Sequence, residues 1–248
     1  MKILVCLGNV PDTTTKVKFT DGLAFDKSGV QWIINPWDEF ALTRAIELRE
    51  DQGNQVNSVT VITVGKNDAE PTVRKALAIG ADDAVRIDSE PLDSYTVAQQ
   101  ISDYIKDKDF DIIIAGTDSS DYNGSMVGGM VAELLGIPSV SAVSGLTLTG
   151  DQSELIRDID GGKEIITLPA PYVAVVHKGI AKEVRIAAMR GIMMARKKPL
   201  TVIAGSSVEK RTSFISFELP QPKPPCKMVD PENISELVDL LQNEARVL

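Results

Sequence analysis

The stretch at residues 111–135 reads DIIIAGTDSSDYNGSMVGGMVAELL, and it decides the fold of this chain. Its β-branched beginning, residues 111–115, predicts a strand buried on both faces, and residues 126–135 have helical spacing that ends at Gly136. Residues 116–125 are therefore a loop between a strand and a helix. Small side chains there let the backbone approach a ligand, and the next helix points its free N–H groups and positive dipole end at the loop. This arrangement suits a phosphate group.

The loop lacks the residues of the common triphosphate motifs. Residues 116–135 contain no lysine, and neither GxxxxGK[ST] nor GxGxxG can be written through them. Hydrolysis of a triphosphate is therefore not expected here. Because a strand, a small-residue loop and a helix also occur in α/β proteins that bind nothing, this segment alone leaves both nucleotide binding and a structural role open.

Composition excludes several classes of protein. The 248 residues are 43% hydrophobic, and a formal net charge of -9 argues against a non-specific nucleic-acid binder. No apolar run approaches the roughly 20 residues of a membrane span, so membrane insertion is not expected. Cys6, Cys226 and the single histidine, His177, make neither a disulfide framework nor a metal site. The start, MKILVCLG, enters a strand without a charged leader, and we expect a cytoplasmic protein.

Strands and helices alternate through the first half of the chain. The patterns predict strands at residues 2–7, 58–64, 83–87 and 111–115, helices at residues 70–79, 95–105 and 126–135, and a further helix that Asn35 caps and Pro36 begins. Residues 16–34 contain turn signals and predict a hairpin excursion outside the main sheet. The alternation indicates a parallel, doubly wound α/β sheet, in which ligands bind beyond the carboxyl ends of strands. The loops that follow residues 7, 64 and 115 should share one site.

The second half of the chain changes character. It predicts antiparallel strands at residues 146–148, 154–159 and 165–168, a last core strand at residues 172–176, and a basic stretch at residues 178–198. That stretch could dock an acidic partner or be a solvated helix face.

The chain ends in an arm. After Gly205 a proline-rich segment leads to residues 231–247, whose spacing predicts one amphipathic helix with little core of its own. We therefore divide the chain into a domain at residues 1–204 and a C-terminal arm at residues 205–248 that wraps on a partner.

Several segments resemble, in the same order, the electron transfer flavoprotein beta subunit family, and together they cover Met1 to about Ile203. They are KILVCLGNVPD, INPWDEFAL, RKALAIGAD, GTDSSDYNG, IRDIDGGKEIITLPAPYVAVV and MRGIMMARKKP. The resemblance implies a Rossmann-like domain, of the adenine nucleotide alpha hydrolase-like kind, that pairs with an alpha subunit to form a heterodimer.

The resemblance also implies the role. In that family, FAD held mainly by the alpha subunit carries electrons from acyl-CoA dehydrogenases and related flavoenzymes to a quinone oxidoreductase of the respiratory chain. The beta subunit is a partner and not an enzyme.

The resemblance further implies a nucleotide. In members like this chain, a buried and structural AMP fills the site of the beta subunit. Carried over position by position, the contacts fall at Cys6, Asn35, Pro36, Trp37, Asp38, Val64, Gly116, Thr117, Asp118, Ser119, Ser120, Asp121, Tyr122, Asn123, Gly124, Ser125, Met126 and Val127. Trp37 stands where relatives place a residue near the FAD, so it is either a flavin neighbour or a staple at the start of its helix.

The basic stretch corresponds to the recognition loop of that family. There an apolar side chain, here Met189, inserts into the partner dehydrogenase, and the surrounding docking residues are Arg190, Arg196, Lys197 and Lys198. The alternative is that Met189 packs the core of its own chain.

Two other functions stay open. A stand-alone nucleotide sensor or an ATP-using enzyme of the same architecture would show the same alternation. Within the family, an electron-bifurcating type holds a second FAD in its beta subunit and meets NADH. The signature at residues 156–176 and the long arm favour the carrier over the stand-alone protein. The segment at residues 158–162 usually looks different in the bifurcating type, which favours the type that binds AMP.

Overall fold

The computed structural model describes residues 1–51, 53, 55–223 and 225–248. Its strands are β1 (Lys2–Cys6), β2 (Asn9–Pro11), β3 (Phe19–Thr20), β4 (Ala24–Phe25), β5 (Trp32–Ile34), β6 (Ser58–Val64), β7 (Asp83–Asp88), β8 (Ile112–Gly116), β9 (Ser139–Thr149), β10 (Gln152–Ile159), β11 (Gly162–Pro169), β12 (Tyr172–Val176) and β13 (Leu200–Ala204). Its helices are α1 (Pro36–Glu50), α2 (Glu70–Ile79), α3 (Ser94–Ile105), α4 (Val127–Leu135), α5 (Met189–Ala195) and α6 (Ile234–Asp239).

The main sheet has a parallel centre. Within the described residues its strand order is β11-β10-β9-β12-β8-β1-β6-β7-β13, and the strands from β12 to β13 all run parallel. The chain moves outward from β1 to β6 and β7, then returns to place β8 on the other side of β1. This reversal opens a crevice at the carboxyl ends of β1 and β8, where doubly wound sheets bind ligands.

Helices cover both faces of the parallel centre. Successive side chains of a strand point to opposite faces, so β1 contributes Ile3 and Val5 to one core and Leu4 and Cys6 to the other. The first core packs under α1 and α2, and the second packs under α3 and α4. The prediction of a doubly wound α/β fold is confirmed.

The antiparallel strands extend one side of this centre. The first residues of β9 run parallel to β12, and the strand then pairs antiparallel with β10, which pairs with β11. β9 is much longer than the predicted run at residues 146–148. It changes register against β12 between Val140 and Val143, where Ala142 has a positive φ of 56°.

The excursion between β1 and α1 also agrees with the prediction. β2 pairs with β5 and β3 pairs with β4, each as a two-stranded antiparallel sheet outside the main one. The β3–β4 hairpin turns at Asp21 and Gly22, which both have positive φ.

Two expectations about the C-terminal part are wrong. β12 is not the last core strand, because β13 pairs in parallel with β7 and forms an edge of the sheet. The arm helix is shorter than residues 231–247, since α6 passes into a π-helical turn at Leu240–Glu244, and the residues of both are all at least partly exposed. The division of the chain into domain and arm stays a prediction. Across the described ranges, no helix is long and apolar enough to cross a membrane.

Candidate functional site

The crevice is organised by one buried carboxylate. Asp38, in the first turn of α1, is 6% exposed, and its two oxygens accept the backbone N–H groups of Gly8, at 2.7 Å, and Gly116, at 2.9 Å. Gly8 follows β1 and Gly116 ends β8. Asp38 therefore joins the two strand ends where the strand order reverses.

Burial sets the proton affinity of this carboxylate. It raises the pKa of Asp38 to about 7, although hydrogen bonds from Gly8, Asn35 and Gly116 lower it. Burial disfavours the charged form, whereas donors directed at the oxygens favour it. Asp38 thus titrates near neutral pH inside the candidate site.

Asn35 joins the same network from the residue before α1. Its side-chain amide donates to the Asp118 carbonyl oxygen at 2.8 Å, and its own oxygen accepts the Ser120 N–H at 3.2 Å. Its backbone N–H also donates to the Gly8 carbonyl oxygen at 2.9 Å. The expectation that this side chain caps α1 is wrong, because the amide is used up in holding the loop after β8.

Gly116 is required by the close approach of α1. A Cβ atom there would lie 2.4 Å from an Asp38 oxygen and 2.7 Å from Trp37 Cβ, distances that real side chains do not tolerate. The glycine that ends β8 therefore lets the start of α1 touch the strand end.

The loop between β8 and α4 is a compact turn. The Ser119 N–H donates to the Gly124 carbonyl oxygen at 3.1 Å, and the Asn123 N–H donates to the Ser119 carbonyl oxygen at 2.7 Å. Asn123 has a positive φ of 52°, and Asp121 accepts from the Ser119 hydroxyl and the Tyr122 N–H. The loop is thus fixed both internally and through Asn35.

The helix after the loop offers backbone donors. α4 begins at Val127, and within the described chain no side chain caps its first turn. Gly128 packs tightly on β12, since a Cβ there would lie 2.7 Å from Val175 Cγ2, whereas a Cβ on Gly129 would meet nothing within 4 Å. Helix N–H groups next to open space can bind an anion.

Cys6 and Val64 complete the floor of the crevice and end β1 and β6. Both are buried. Burial first, and the neighbouring Asp38 second, raise the pKa of the Cys6 thiol to about 12. The thiol stays protonated at neutral pH, so Cys6 can line a site but is no nucleophile.

One buried charged residue beside the loop after β6 was not among the residues predicted from the sequence. Arg86 on β7 is 3% exposed, and its guanidinium donates to the Gly65 carbonyl oxygen at 2.9 Å and to Asn67 Oδ1 at 2.8 Å. It fixes the loop after β6. An arginine in the middle of the apolar run DAVRID is the sequence signal that could have marked it.

The predicted docking residues lie away from this network, on and after α5. Met189 is 74% exposed, and Arg190, Arg196 and Lys197 are exposed too. Lys198 differs, because its ammonium donates to the carbonyl oxygens of Leu77 and Ala81 at the end of α2, and burial lowers its pKa.

A groove of about 720 Å³ lies beside the contact between α5 and α2 and is lined by both apolar and basic side chains. Arg74 crosses it to reach the carbonyl oxygens of Ala195 and Lys198. Gly191 lets the two helices touch, since a Cβ there would lie 2.3 Å from the Ala78 carbonyl oxygen. Neither Arg74 nor Gly191 is among the site residues predicted from the sequence.

Comparison with known proteins identifies the family. The model of the electron transfer flavoprotein domain matches residues 22–207. The chain is 34% identical to the electron transfer flavoprotein subunit beta of Bacillus subtilis over 262 residues, covering 100% of both chains. It is 31% identical to the mitochondrial subunit beta of rice, Oryza sativa subsp. japonica, with 100% of both covered. It is 30% identical to the acryloyl-CoA reductase electron transfer subunit gamma of Anaerotignum propionicum, covering 98% of this chain and 99% of that one.

These full-length matches confirm the resemblance found in the sequence, and the chain belongs to the electron transfer flavoprotein family, among its beta subunits.

Proposed function

We propose that the chain is the cytoplasmic beta subunit of a heterodimeric electron transfer flavoprotein and that one structural AMP fills its crevice. The observation that carries this proposal is the network in which Asp38 and Asn35 hold both strand ends and the loop before α4. This network holds the strand ends and the loop in a fixed arrangement. A preorganised crevice of this kind suits a tightly held ligand.

The donor set favours a monophosphate. The first turn of α4 supplies N–H groups, and within the described chain no side chain caps that turn. Residues 116–135 include neither lysine nor arginine, so a second or third phosphate would have no side-chain cation from this segment. AMP therefore fits better than ATP.

The adenosine would lie toward β1 and the start of α1. We assign its wall to Cys6, Val64, Asn35, Pro36 and Asp38, whose atoms line the strand ends. Because both oxygens of Asp38 already accept backbone N–H groups, its part is to shape the wall.

The FAD belongs mainly to the alpha subunit, and we place it near Trp37, which is partly exposed at the rim of the crevice. When bound, the flavin supplies reversible uptake of electrons. The beta chain alone is expected to bind no flavin tightly, because its loops offer one nucleotide site.

The external partners are proposed from the family. We propose that acyl-CoA dehydrogenases donate electrons and that the electron transfer flavoprotein-quinone oxidoreductase accepts them. Met189 inserts into the dehydrogenase, and Arg190, Arg196 and Lys197 surround it. Lys198 supports this surface by capping α2, and a direct contact with the partner stays a prediction.

One comparison is the reason to consider a second candidate function. The chain matches the electron transfer subunit of an acryloyl-CoA reductase over nearly its whole length. A bifurcating type would place a second FAD in the crevice that we assign to AMP.

Counting the bound molecules separates these functions. The chain is co-expressed with its alpha-type partner, the purified complex is denatured, and the released nucleotides are separated on an ion-exchange column. One AMP and one FAD per heterodimer support the proposal. Two FAD indicate the bifurcating type, and ATP that turns over indicates a nucleotide-using enzyme.

A further inference from the structure

Residues 206–217, called the strap here, cross the carboxyl edge of the sheet. The strap follows β13, which ends at this edge because it runs parallel to β7. Its contacts lead from the start of α3 to the loop before α4 and then to the β3–β4 hairpin. All three elements follow strands at that edge, so the strap spans the side of the domain on which the crevice opens.

The strap is first anchored at Ser206. Its N–H donates to Gln100 Oε1 at 2.9 Å, and Gln100 Nε2 donates back to its carbonyl oxygen at 3.0 Å. Gln100 is 4% exposed, so this reciprocal pair is set into the face of α3. The start of the strap is therefore fixed.

The second anchor is the cap of α3. One oxygen of Asp93 accepts the Thr96 N–H at 2.8 Å, and the other accepts the backbone N–H groups of Arg211, at 2.6 Å, and Thr212, at 2.9 Å. The Arg211 guanidinium also lies 5.0 Å from the centre of the Tyr95 ring. One carboxylate thus holds the helix start and the strap together.

The third anchor is a row of aromatic rings. Tyr122, in the loop before α4, stacks on Phe214 with 4.8 Å between ring centres, Phe214 lies 5.0 Å from Phe217, and Phe217 stacks on Phe19 at 4.9 Å. The Phe217 N–H donates to the Gly22 carbonyl oxygen at 2.8 Å. The row joins the loop, the strap and the hairpin after β1.

The loop is also close to α3 itself. A Cβ on Gly124 would lie 3.5 Å from Ser94 Oγ, next to the Asp93 anchor. The strap therefore covers a loop that itself lies against the start of α3, the helix to which the strap is hydrogen-bonded. Opening the loop outward would require Tyr122 to leave Phe214.

We propose that the strap is a latch that holds the loop before α4 closed over a nucleoside monophosphate, with Asp93 and Phe214 as its positioning residues. This inference rests on the proposed function for the identity of the ligand. Neither residue needs to touch the nucleotide, because each acts through the loop. Release of the nucleotide then requires the strap to detach.

Charge keeps the Asp93 anchor closed over the ordinary pH range. Burial would raise the pKa of Asp93, but the N–H groups of Thr96, Thr212 and Arg211 outweigh it and lower the pKa to about 2. The carboxylate is an acceptor at any pH near neutrality, so changes of pH there do not release the strap.

The test compares four variants of the full chain, each co-expressed with the alpha-type partner. Phe214→Ala removes the central ring, and Asp93→Asn keeps the oxygen that caps Thr96 but turns a donor toward the N–H groups of Arg211 and Thr212. Phe214→Tyr keeps the ring. Ile215→Ala is the matched control, because that neighbouring side chain is 89% exposed.

Two quantities are measured, namely the rate at which labelled AMP leaves the complex during a chase with unlabelled AMP, and amide hydrogen exchange in the loop before α4. Phe214→Ala and Asp93→Asn should release AMP about three- to tenfold faster, as expected for loss of an aromatic pair or a charged acceptor, and should speed exchange at the Ser119 and Asn123 amides. Phe214→Tyr and Ile215→Ala should match the unchanged protein.

Unchanged exchange in both disruptive variants would overturn the latch, and so would faster exchange with unchanged AMP release. A parent complex that contains no AMP would refute the proposed function instead. The exchange measurement would then judge alone whether the strap holds the loop.

Discussion

The crevice at Asp38 and the α5 surface differ in how far their side chains are exposed. In the crevice, the side chains of Asn35 and Asp38 are almost fully buried, and their polar groups form hydrogen bonds with backbone groups. On α5, Met189 is 74% exposed and Met193 is 68% exposed, although the helix itself is clamped to α2 by Arg74. The polar groups of Asn35 and Asp38 find their hydrogen-bond partners within the chain, whereas α5 is fixed to α2 and has an uncovered apolar face. Binding at the first should need little rearrangement, and binding at the second needs a partner to cover that face.

The largest change in stability is expected when the carboxylate of the crevice is removed. Asp38→Ala leaves the buried N–H groups of Gly8 and Gly116 without their acceptor and should lower the free energy of unfolding by about 2–5 kcal/mol, with loss of bound AMP. Asp38→Asn keeps one acceptor and should cost roughly half as much. Denaturant unfolding of the complex measures both.

Asp109→Ala is the control for this experiment, because it removes an exposed carboxylate and should change stability by less than about 0.5 kcal/mol. An Asp38→Ala protein as stable as this control would show that the bridge does not hold the crevice.

On the α5 surface the corresponding change should affect docking without affecting the fold. Met189→Ala should weaken docking to the dehydrogenase by about 1–3 kcal/mol and slow electron transfer accordingly, because an exposed anchor contributes to binding and little to folding. The flavin spectrum and the melting temperature should stay nearly unchanged. Stopped-flow reduction of the complex by the dehydrogenase measures the first effect, and calorimetry measures the second.

Met228→Ala provides an exposed methionine elsewhere on the chain, at 88% exposure, and should leave electron transfer unaltered. A loss of several kcal/mol of stability in Met189→Ala would instead place that side chain in the core.

The raised pKa of Asp38 gives the crevice a pH dependence that the exposed α5 surface should not share. A carboxyl whose pKa is higher in the folded state than its ordinary 3.8 binds its proton more tightly there, so stability from this group is greatest below about pH 4 and falls as the pH rises through about 7. Relative to Asp38→Asn, the parent chain should lose about 2 kcal/mol between pH 5 and 8. Unfolding curves at several pH values test this.

Asp93 should give a pH dependence of stability with the opposite sign. Its lowered pKa means that its contribution to stability is fully present above about pH 4 and is lost as the pH falls toward about 2.

A parent chain and an Asp38→Asn variant whose stability varies with pH in parallel would contradict the account of Asp38.

The smallest expected effect concerns the arm in the chain without its partner. Amides after residue 217 should exchange quickly, because the arm is proline-rich and the residues of α6 stay at least partly exposed. The Arg211, Thr212 and Phe217 amides should be slower, since each donates a hydrogen bond to the domain. Uniform protection along residues 205–248 of a verified monomer would contradict this pattern.

Local patterns predicted most of the parallel centre. The buried runs of β6 and β8 and the helical spacing of α2 are properties of short segments, and β6 and α2 have the predicted bounds. β13 was not predicted because it is a short edge strand in which Val202 is half exposed. Its pairing with β7, and not its local pattern, identifies it as a strand. Edge strands need only one buried face and one neighbour, so a five-residue run after a basic stretch is easily overlooked.

The roles inside the site depended on distant pairs. The sequence placed Asn35 and Asp38 at the start of a helix, where a cap and an acid are common, and the family resemblance placed both at a nucleotide. Their actual partners are Gly116, at the end of β8, and Asp118, in the loop after it, and only the sheet order brings β8 beside β1. No spacing within a helix start contains that information.

The bridge at Asp38 also orders events during synthesis of the chain. Asp38, which accepts the Gly8 N–H, follows Gly8 by 30 residues, whereas Gly116 follows Asp38 by 78 residues. Closing a contact over such a separation is slow compared with forming a local helix. We therefore expect α1 to meet β1 before β8 has been synthesised, and the crevice to form only after Gly116 has emerged. A nascent chain that stops before residue 116 lacks the second strand end that the crevice needs.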